Sequence, residues 1–284
     1  MSYTETIITA NDGLSLFLRT WEPDEKEPQA ILVLVHGLAE HAGRYHHVVK
    51  VFLQHGYVIY GHDHRGFGRS GGRRGDFEHF DQVLADLDQV VKLARSQHPG
   101  LPLGMFAHSM GGTIGVQYLT HHPDQFRAAI LSAPGFGPGP TQNKFLLRVA
   151  RLLAIFAPTL TIHRGSSGEY KLSHDPAQAE AWDADPYVHD LATPRFAVQY
   201  LQAATEAKAQ LRRLRLPILV VMGEDDVTIN QDDIREAVAA AGDNLTFVTF
   251  PGAYHEVHNE IQEIREKMLS TAVAWMAEKL QLSA

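Results

Sequence analysis

The chain contains no cysteine in 284 residues. That excludes disulfides, thiolate nucleophiles and thiolate metal sites. It also lacks an excess of positive charge. Lys and Arg number 25 against 33 Asp and Glu, a net charge of -8 with histidine neutral. Such a balance disfavours nucleic acid as a partner. No apolar run is long enough to span a bilayer. The start, Met1-Ser2-Tyr3-Thr4-Glu5, has neither the basic region nor the apolar stretch of a classical secretion signal. The expectation is a soluble, cytoplasmic protein; composition leaves its oligomeric state open. What is present is ordinary for a globular protein, 44% hydrophobic and 20% charged. The length suits one large α/β domain, or one domain with an insertion.

The chain opens with two alternating stretches, Glu5–Thr9 and Leu14–Trp21, around Asn11-Asp12-Gly13. They predict an antiparallel hairpin. Ala30-Ile31-Leu32-Val33-Leu34-Val35 is continuously apolar, as in a strand buried on both faces of a mainly parallel sheet. A helical pattern over Arg44–Gln54 is stopped by Gly56 and followed by a second buried strand, Tyr57–Tyr60. A helix is predicted over Phe80–Ala94, then strands ending near His108 and Ser132. Strand and helix alternating in this way imply right-handed crossovers and a doubly wound sheet. The rhythm breaks at the Gly/Pro-rich 135–140 stretch. It returns with Pro217–Gly223, a helix near Asp232–Ala241, the strand Leu245–Phe250 and a helix over Glu260–Leu280. Residues 1–135 and 209–284 are therefore expected to form the core, and 136–208 an inserted helical cap.

Within that frame, Leu103-Gly104-Met105-Phe106-Ala107-His108-Ser109-Met110-Gly111-Gly112 ends an apolar run abruptly at a serine among small residues. This is the profile of a nucleophile elbow, a tight strand-to-helix turn. Ala107 stands where G-x-S-x-G has its first glycine. A serine hydroxyl needs a base and a group to orient that base. In doubly wound sheets such groups gather after the carboxyl ends of strands. One such loop holds Glu224, Asp225 and Asp226, of which Asp226 is favoured by its distance beyond Gly223. The loop after the last strand holds His255. The order serine, acid, histidine is the one this kind of sheet uses. The N–H groups of Met110, after the serine, and Leu38, in the His36-Gly37-Leu38 turn, are candidate oxyanion donors.

These residues carry a resemblance. The segments His36-Gly37-Leu38-Ala39-Glu40-His41-Ala42-Gly43-Arg44-Tyr45, His62-Asp63-His64-Arg65-Gly66-Phe67-Gly68-Arg69-Ser70, His108-Ser109-Met110-Gly111-Gly112 and Gly252-Ala253-Tyr254-His255-Glu256-Val257-His258 resemble the monoacylglycerol lipase and lysophospholipase-like group of α/β-hydrolases, an S33-like hydrolase group. The resemblance implies an α/β-hydrolase fold, with an eight-stranded, mostly parallel sheet and an inserted cap. It implies Ser109, Asp226 and His255 as triad, and the Leu38 and Met110 N–H groups as oxyanion hole. It further implies that Glu40, Arg44 and His108 lie near the pocket for a glycerol moiety. Trp182 stands about where the group often has a tyrosine near that moiety. The activity implied is cofactor-free, metal-free hydrolysis of monoacylglycerols or similar lipophilic esters through an acyl-enzyme on Ser109. Lysophospholipase or general carboxylesterase activity shares that chemistry, and a catalytically silent ligand-binding α/β-hydrolase is the non-enzyme alternative.

Three other features stand outside this core pattern. The apolar stretch Phe145–Phe156 fits an acyl tunnel, transient contact with a membrane surface, or packing on the core. His62-Asp63-His64 reads as polar loop after a buried strand rather than a metal site. Arg65, Arg69, Arg73 and Arg74 read as a solvated basic run.

Overall fold

The computed structural model describes residues 2–24, 27–137, 144–164 and 171–282. Two antiparallel strands, β1 (Ser2–Thr9) and β2 (Ser15–Glu22), form the expected hairpin. They are followed by β3 (Ala30–Val35), α1 (His46–Gln54), β4 (Tyr57–His62) and α2 (Phe80–Gln97). Next come β5 (Leu103–His108), α3 (Met110–His121) and β6 (Ala128–Ser132). The segment after β6 holds α4 (Lys144–Phe156), β7 (Ile162–His163), α5 (Pro176–Ala184), β8 (Leu191–Ala192) and α6 (Pro194–Gln210). The chain closes with β9 (Ile218–Gly223), α7 (Gln231–Ala239), β10 (Leu245–Phe250) and α8 (Gln262–Leu280).

Eight strands make one sheet in the order β1-β2-β4-β3-β5-β6-β9-β10. From β4 to β10 every neighbour pair is parallel, and β1 and β2 are antiparallel at one edge. The central strands β3, β4, β5, β6 and β9 are buried throughout because helices cover both faces, whereas the edge strand β1 is exposed. On β3, Ile31, Val33 and Val35 enter one core cluster while Ala30, Leu32 and Leu34 enter the other. Period two along a strand explains why the run had to be apolar throughout. Each such aliphatic side chain contributes about 1.5–3 kcal/mol on burial. α8 supplies Met268, Ala272, Met276 and Leu280 at four-residue intervals to the second cluster, so its stripe lies along one face.

The segment between β6 and β9 adds no strand to this sheet among the described residues. Among the described residues it consists of helices joined by loops, with the antiparallel β7·β8 ribbon, two residues on each side. The readings left open for α4 separate here. Leu147 and Ala150 face α6 across a groove, whereas Leu152, Ile155 and Phe156 are exposed.

The loop after β4 corrects two expectations. Arg65 is buried rather than solvated: its Nε and Nη2 donate to Asp86 at 2.6 and 2.7 Å, and its Nη1 to Asp12 at 2.7 Å. Arg74 donates to the carbonyls of Gly68 and Ser70. His62, Asp63 and His64 are also fully buried. Asp63 accepts from Arg19, from Ala42 N at 3.1 Å and from Arg69 N at 2.8 Å, so it staples the loop to β2 and to the turn after β3. Hydrogen bonds, which a linear polarity pattern does not encode, hold Arg65 and Asp63 there, whereas neither ring nitrogen of His62 has a partner among the described residues.

Candidate active site

β5 ends at His108 and α3 begins at Met110, so Ser109 alone turns the chain. Its φ of 54° and ψ of −118° lie where non-glycine residues are strained. Neighbouring backbone holds it there. Ser109 N donates to Ser132 O at 2.9 Å, and Ser109 O accepts from Gly112 N and Gly135 N, both at 2.9 Å. The glycines after it follow from close approach. A Cβ at Gly111 would stand 2.2 Å from Val35 O, and one at Gly112 would stand 2.6 Å from Pro134 Cβ. The methyl of Ala107 is accommodated by Gly115, where a Cβ would come within 3.2 Å of it.

Ser109 opens into a cavity of about 340 Å³ that His255 also lines. His255 Nδ1 lies 2.7 Å from Asp226 Oδ2, with both side chains buried. Asp226 Oδ1 accepts from the N–H of Thr228 at 2.8 Å, which fixes the carboxylate. Of the three acids after β9, the structure brings only Asp226 to the histidine; Glu224 and Asp225 are exposed. Burial works to lower the His255 pKa. The Asp226 carboxylate, with Glu256 and Glu40 behind it, outweighs burial and holds it above the ordinary histidine value. With Nδ1 committed to Asp226, Nε2 is the nitrogen left to exchange a proton.

The turn after β3 passes directly over Ser109: a Cβ at Gly37 would sit 3.3 Å from Ser109 Cβ. Leu38 lies on the cavity wall. His36 pins this turn, its Nδ1 2.8 Å from Gly37 O and its Nε2 accepting from His64 N at 2.8 Å. Burial drives the His36 pKa well down, so the ring is neutral. Met110 is the first residue of α3, where no carbonyl one turn earlier is available to its N–H and the helix end favours negative charge.

Glu40, His108 and Trp182 all line the cavity. Glu40 is engaged with protein: Oε1 accepts from Gly37 N and Tyr45 OH, both at 2.6 Å, and Oε2 accepts from Arg44 Nη1 at 2.7 Å. Arg44 does not line the cavity. It lies behind Glu40, paired also with Glu256 and with the Trp182 ring centroid 4.5 Å from its Cζ. His108 Nδ1 sits 3.2 Å from Ser132 Oγ, and burial keeps it neutral. Sequence reasoning passed over Glu256, although it follows His255, and gave no role to Tyr200 and Arg164. These two come from the inserted segment, whose register over the cavity has no local sequence signal.

Ser109, His255 and the Gly37-Leu38 turn thus line one cavity, with the Asp226 carboxylate bonded to the histidine. Residues 26–262 match the family described as serine aminopeptidase, S33. The chain is 34% identical over 270 residues to a monoacylglycerol lipase of Mycolicibacterium smegmatis, covering 94% of this chain and 95% of that protein. It is 26% identical to a Bacillus subtilis phospholipase over 90% of this chain and 97% of the relative. A soluble variant of monoglyceride lipase from Saccharomyces cerevisiae, solved with a substrate analog, shares the fold with a TM-score of 0.89. That likeness is at 22% identity and covers 98% of this chain and 96% of the other.

Proposed function

Because the chain belongs to the serine aminopeptidase, S33 family, we propose that it hydrolyses monoacylglycerols or closely similar lipophilic esters through an acyl-enzyme on Ser109. The observation behind this reading is the 2.7 Å His255–Asp226 pair on the wall of the cavity that Ser109 enters. His255 Nε2 takes the Ser109 proton as Oγ attacks the ester carbonyl. The negative charge that develops on oxygen is met by the N–H groups of Leu38 and Met110. The C–O bond to the alcohol then breaks, and His255 returns the proton to the leaving oxygen. Water, deprotonated by His255, releases the carboxylic acid. Asp226 orients the ring and stabilises its cation. These groups suffice without a cofactor.

Residues 136–208 act in this reading as a cap over the acyl chain, and the exposed α4 side chains support transient contact with a lipid surface. Cytoplasmic placement belongs to the same proposal. Lysophospholipids are a second substrate class, favoured by one observation. Arg164 lines the cavity, and its only bonds among the described residues go from its backbone N and Nε to the Asp190 carbonyl. A guanidinium so placed suits a phosphate.

One experiment addresses both readings: turnover of monoacylglycerol, lysophosphatidylcholine and a chromogenic butyrate by the protein and by Ser109→Ala. The expected result is hydrolysis lost in the variant by a factor on the order of 10⁶. Full activity in Ser109→Ala refutes the mechanism, and the ratio of the two lipids assigns the head group.

A further inference from the structure

Three buried charged groups beside the cavity take no part in the proposed steps: Glu40, Arg44 and Glu256, which are 2%, 8% and 2% exposed. Arg44 Nη1 donates to Glu40 Oε2 at 2.7 Å and to Glu256 Oε1 at 2.8 Å. Its Nη2 donates to Glu256 Oε2 at 2.9 Å. Glu40 in turn accepts the Gly37 N–H at 2.6 Å, one residue before Leu38. Glu256 follows His255 directly, and its own N–H donates to Leu172 O at 2.7 Å in the inserted segment. Asn259 Nδ2 donates to Glu256 Oε2 at 2.8 Å. One guanidinium therefore joins the turn that presents an oxyanion donor to the loop that presents the base.

We infer that Arg44 is a positioning residue: its bridge between Glu40 and Glu256 holds the Leu38 N–H and the His255 imidazole in register over Ser109. The inference rests on the roles assigned above to Ser109, His255 and Leu38. Three of the Arg44 N–H groups are given to carboxylates, and the side chain lies off the cavity wall, so it is not placed to bind a substrate hydroxyl. The Gly37 turn is wedged between Glu40 and Ser109, with 2.7 Å from a hypothetical Gly37 Cβ to Glu40 Oε1 and 3.3 Å to Ser109 Cβ. Any movement of Glu40 is therefore passed to the Leu38 N–H. Bidentate pairing matters too, because a guanidinium fixes the orientation of Glu256, which an ammonium cannot. Without the cation, two buried carboxylates face each other, one takes up a proton, and the acceptor that holds the turn weakens.

The test compares Arg44→Ala, Arg44→Lys and Glu256→Gln on a monoacylglycerol and on 4-nitrophenyl butyrate, an ester with no free hydroxyl. The expected result is a fall in kcat of about 10- to 100-fold on both esters, with little change in KM. Millimolar guanidinium should restore part of the Arg44→Ala activity, and Arg44→Lys should retain more activity than Arg44→Ala. A rise in KM confined to the monoacylglycerol, with butyrate turnover unchanged, overturns the inference and makes Arg44 a substrate ligand. Should Arg44→Ala fail to fold, Arg44→Lys and Glu256→Gln decide the matter by the same kcat and KM split. Absence of Ser109-dependent hydrolysis in the unsubstituted protein would instead refute the nucleophile assignment, so the two failures are separable.

Discussion

At the scale of single residues, on the proposed mechanism, the charge balance around His255 would set the pH at which the site works. The base must be neutral to accept the Ser109 proton. Its pKa lies above the ordinary histidine value, since Asp226 foremost, then Glu256 and Glu40, outweigh the opposing effect of burial. The acid limb of kcat/KM should therefore lie above the ordinary histidine value. Asp226→Asn removes the foremost carboxylate, so the limb should move to lower pH while kcat falls by about 10⁴, the scale seen when a triad aspartate is neutralised. A pH–rate profile checks both, and a limb that stays in place in the variant contradicts the assignment. Ser109 and His255 were legible in the sequence because chain order and strand ends constrain them. Asp226 was only favoured among three acids, since which of them turns inward depends on the backbone after β9. Glu256 was passed over because its partner Arg44 lies 212 residues away.

Among the elements, the elbow is a packing problem solved by glycine. α3 approaches β3 and β5 so closely that Gly111 and Gly115 have no room for a methyl. At Gly115 an added Cβ would meet Met105 Sδ at 2.9 Å and Ala107 Cβ at 3.2 Å. Gly115→Ala should cost about 1–3 kcal/mol by overpacking. Adding Ala107→Gly in the same chain should recover part of that loss, because it removes one of the two opposing atoms. Thermal melts of the two single variants and the double variant give the coupling, and strict additivity would show that the two sites do not share this space. Elements of this kind were the most legible part of the fold. β3, β5, β6 and β9 were readable as continuous apolar runs because helices cover both faces of the sheet. α6 lies in the segment expected to be helical and begins with Pro194 after a Thr193 cap, whose hydroxyl accepts from Phe196 N at 3.2 Å. The β7·β8 ribbon was not readable: two residues a side make no periodic pattern, and the paired residues lie far apart in the chain.

For the molecule as a whole, burial of imidazoles makes stability depend on acid. Seven of the 17 histidines are buried; His41 and His255 sit against carboxylates, and the other five are His36, His62, His64, His108 and His258. Burial is the foremost cause lowering the pKa of each of these five, to about 4 for His64 and about 3 for His258. Composition gives the number of histidines, but only the fold decides which are taken from water, and the His62 and His64 positions looked like ordinary loop. An unfolded chain protonates these rings near pH 6.5, whereas the folded chain resists, so the unfolded state binds more protons and stability falls as pH drops. Between pH 6.5 and 5, His64 and His258 should each withdraw about 2 kcal/mol. His255, with its raised folded pKa, has the opposite sign: its contribution is complete below about pH 6.5 and is lost as pH rises through its folded value. Glu256, held at about 2 against the opposing effect of burial by the Arg44 guanidinium and then by His258 and Asn259, adds a further loss as pH falls from the ordinary carboxylate value toward 2. For a chain of this size, about 4 kcal/mol from two rings should lower Tm by roughly 10 °C between pH 7 and pH 5. The His258 ring stacks on Tyr45 at 4.9 Å, and neither of its nitrogens has a partner among the described residues. Its imidazole thus serves as an aromatic filler, and His258→Phe should fold and show a shallower dependence of Tm on pH. Melts at pH 5, 6 and 7 that superpose for the unsubstituted protein, or a variant with an unchanged slope, would show that these rings do not set its acid stability.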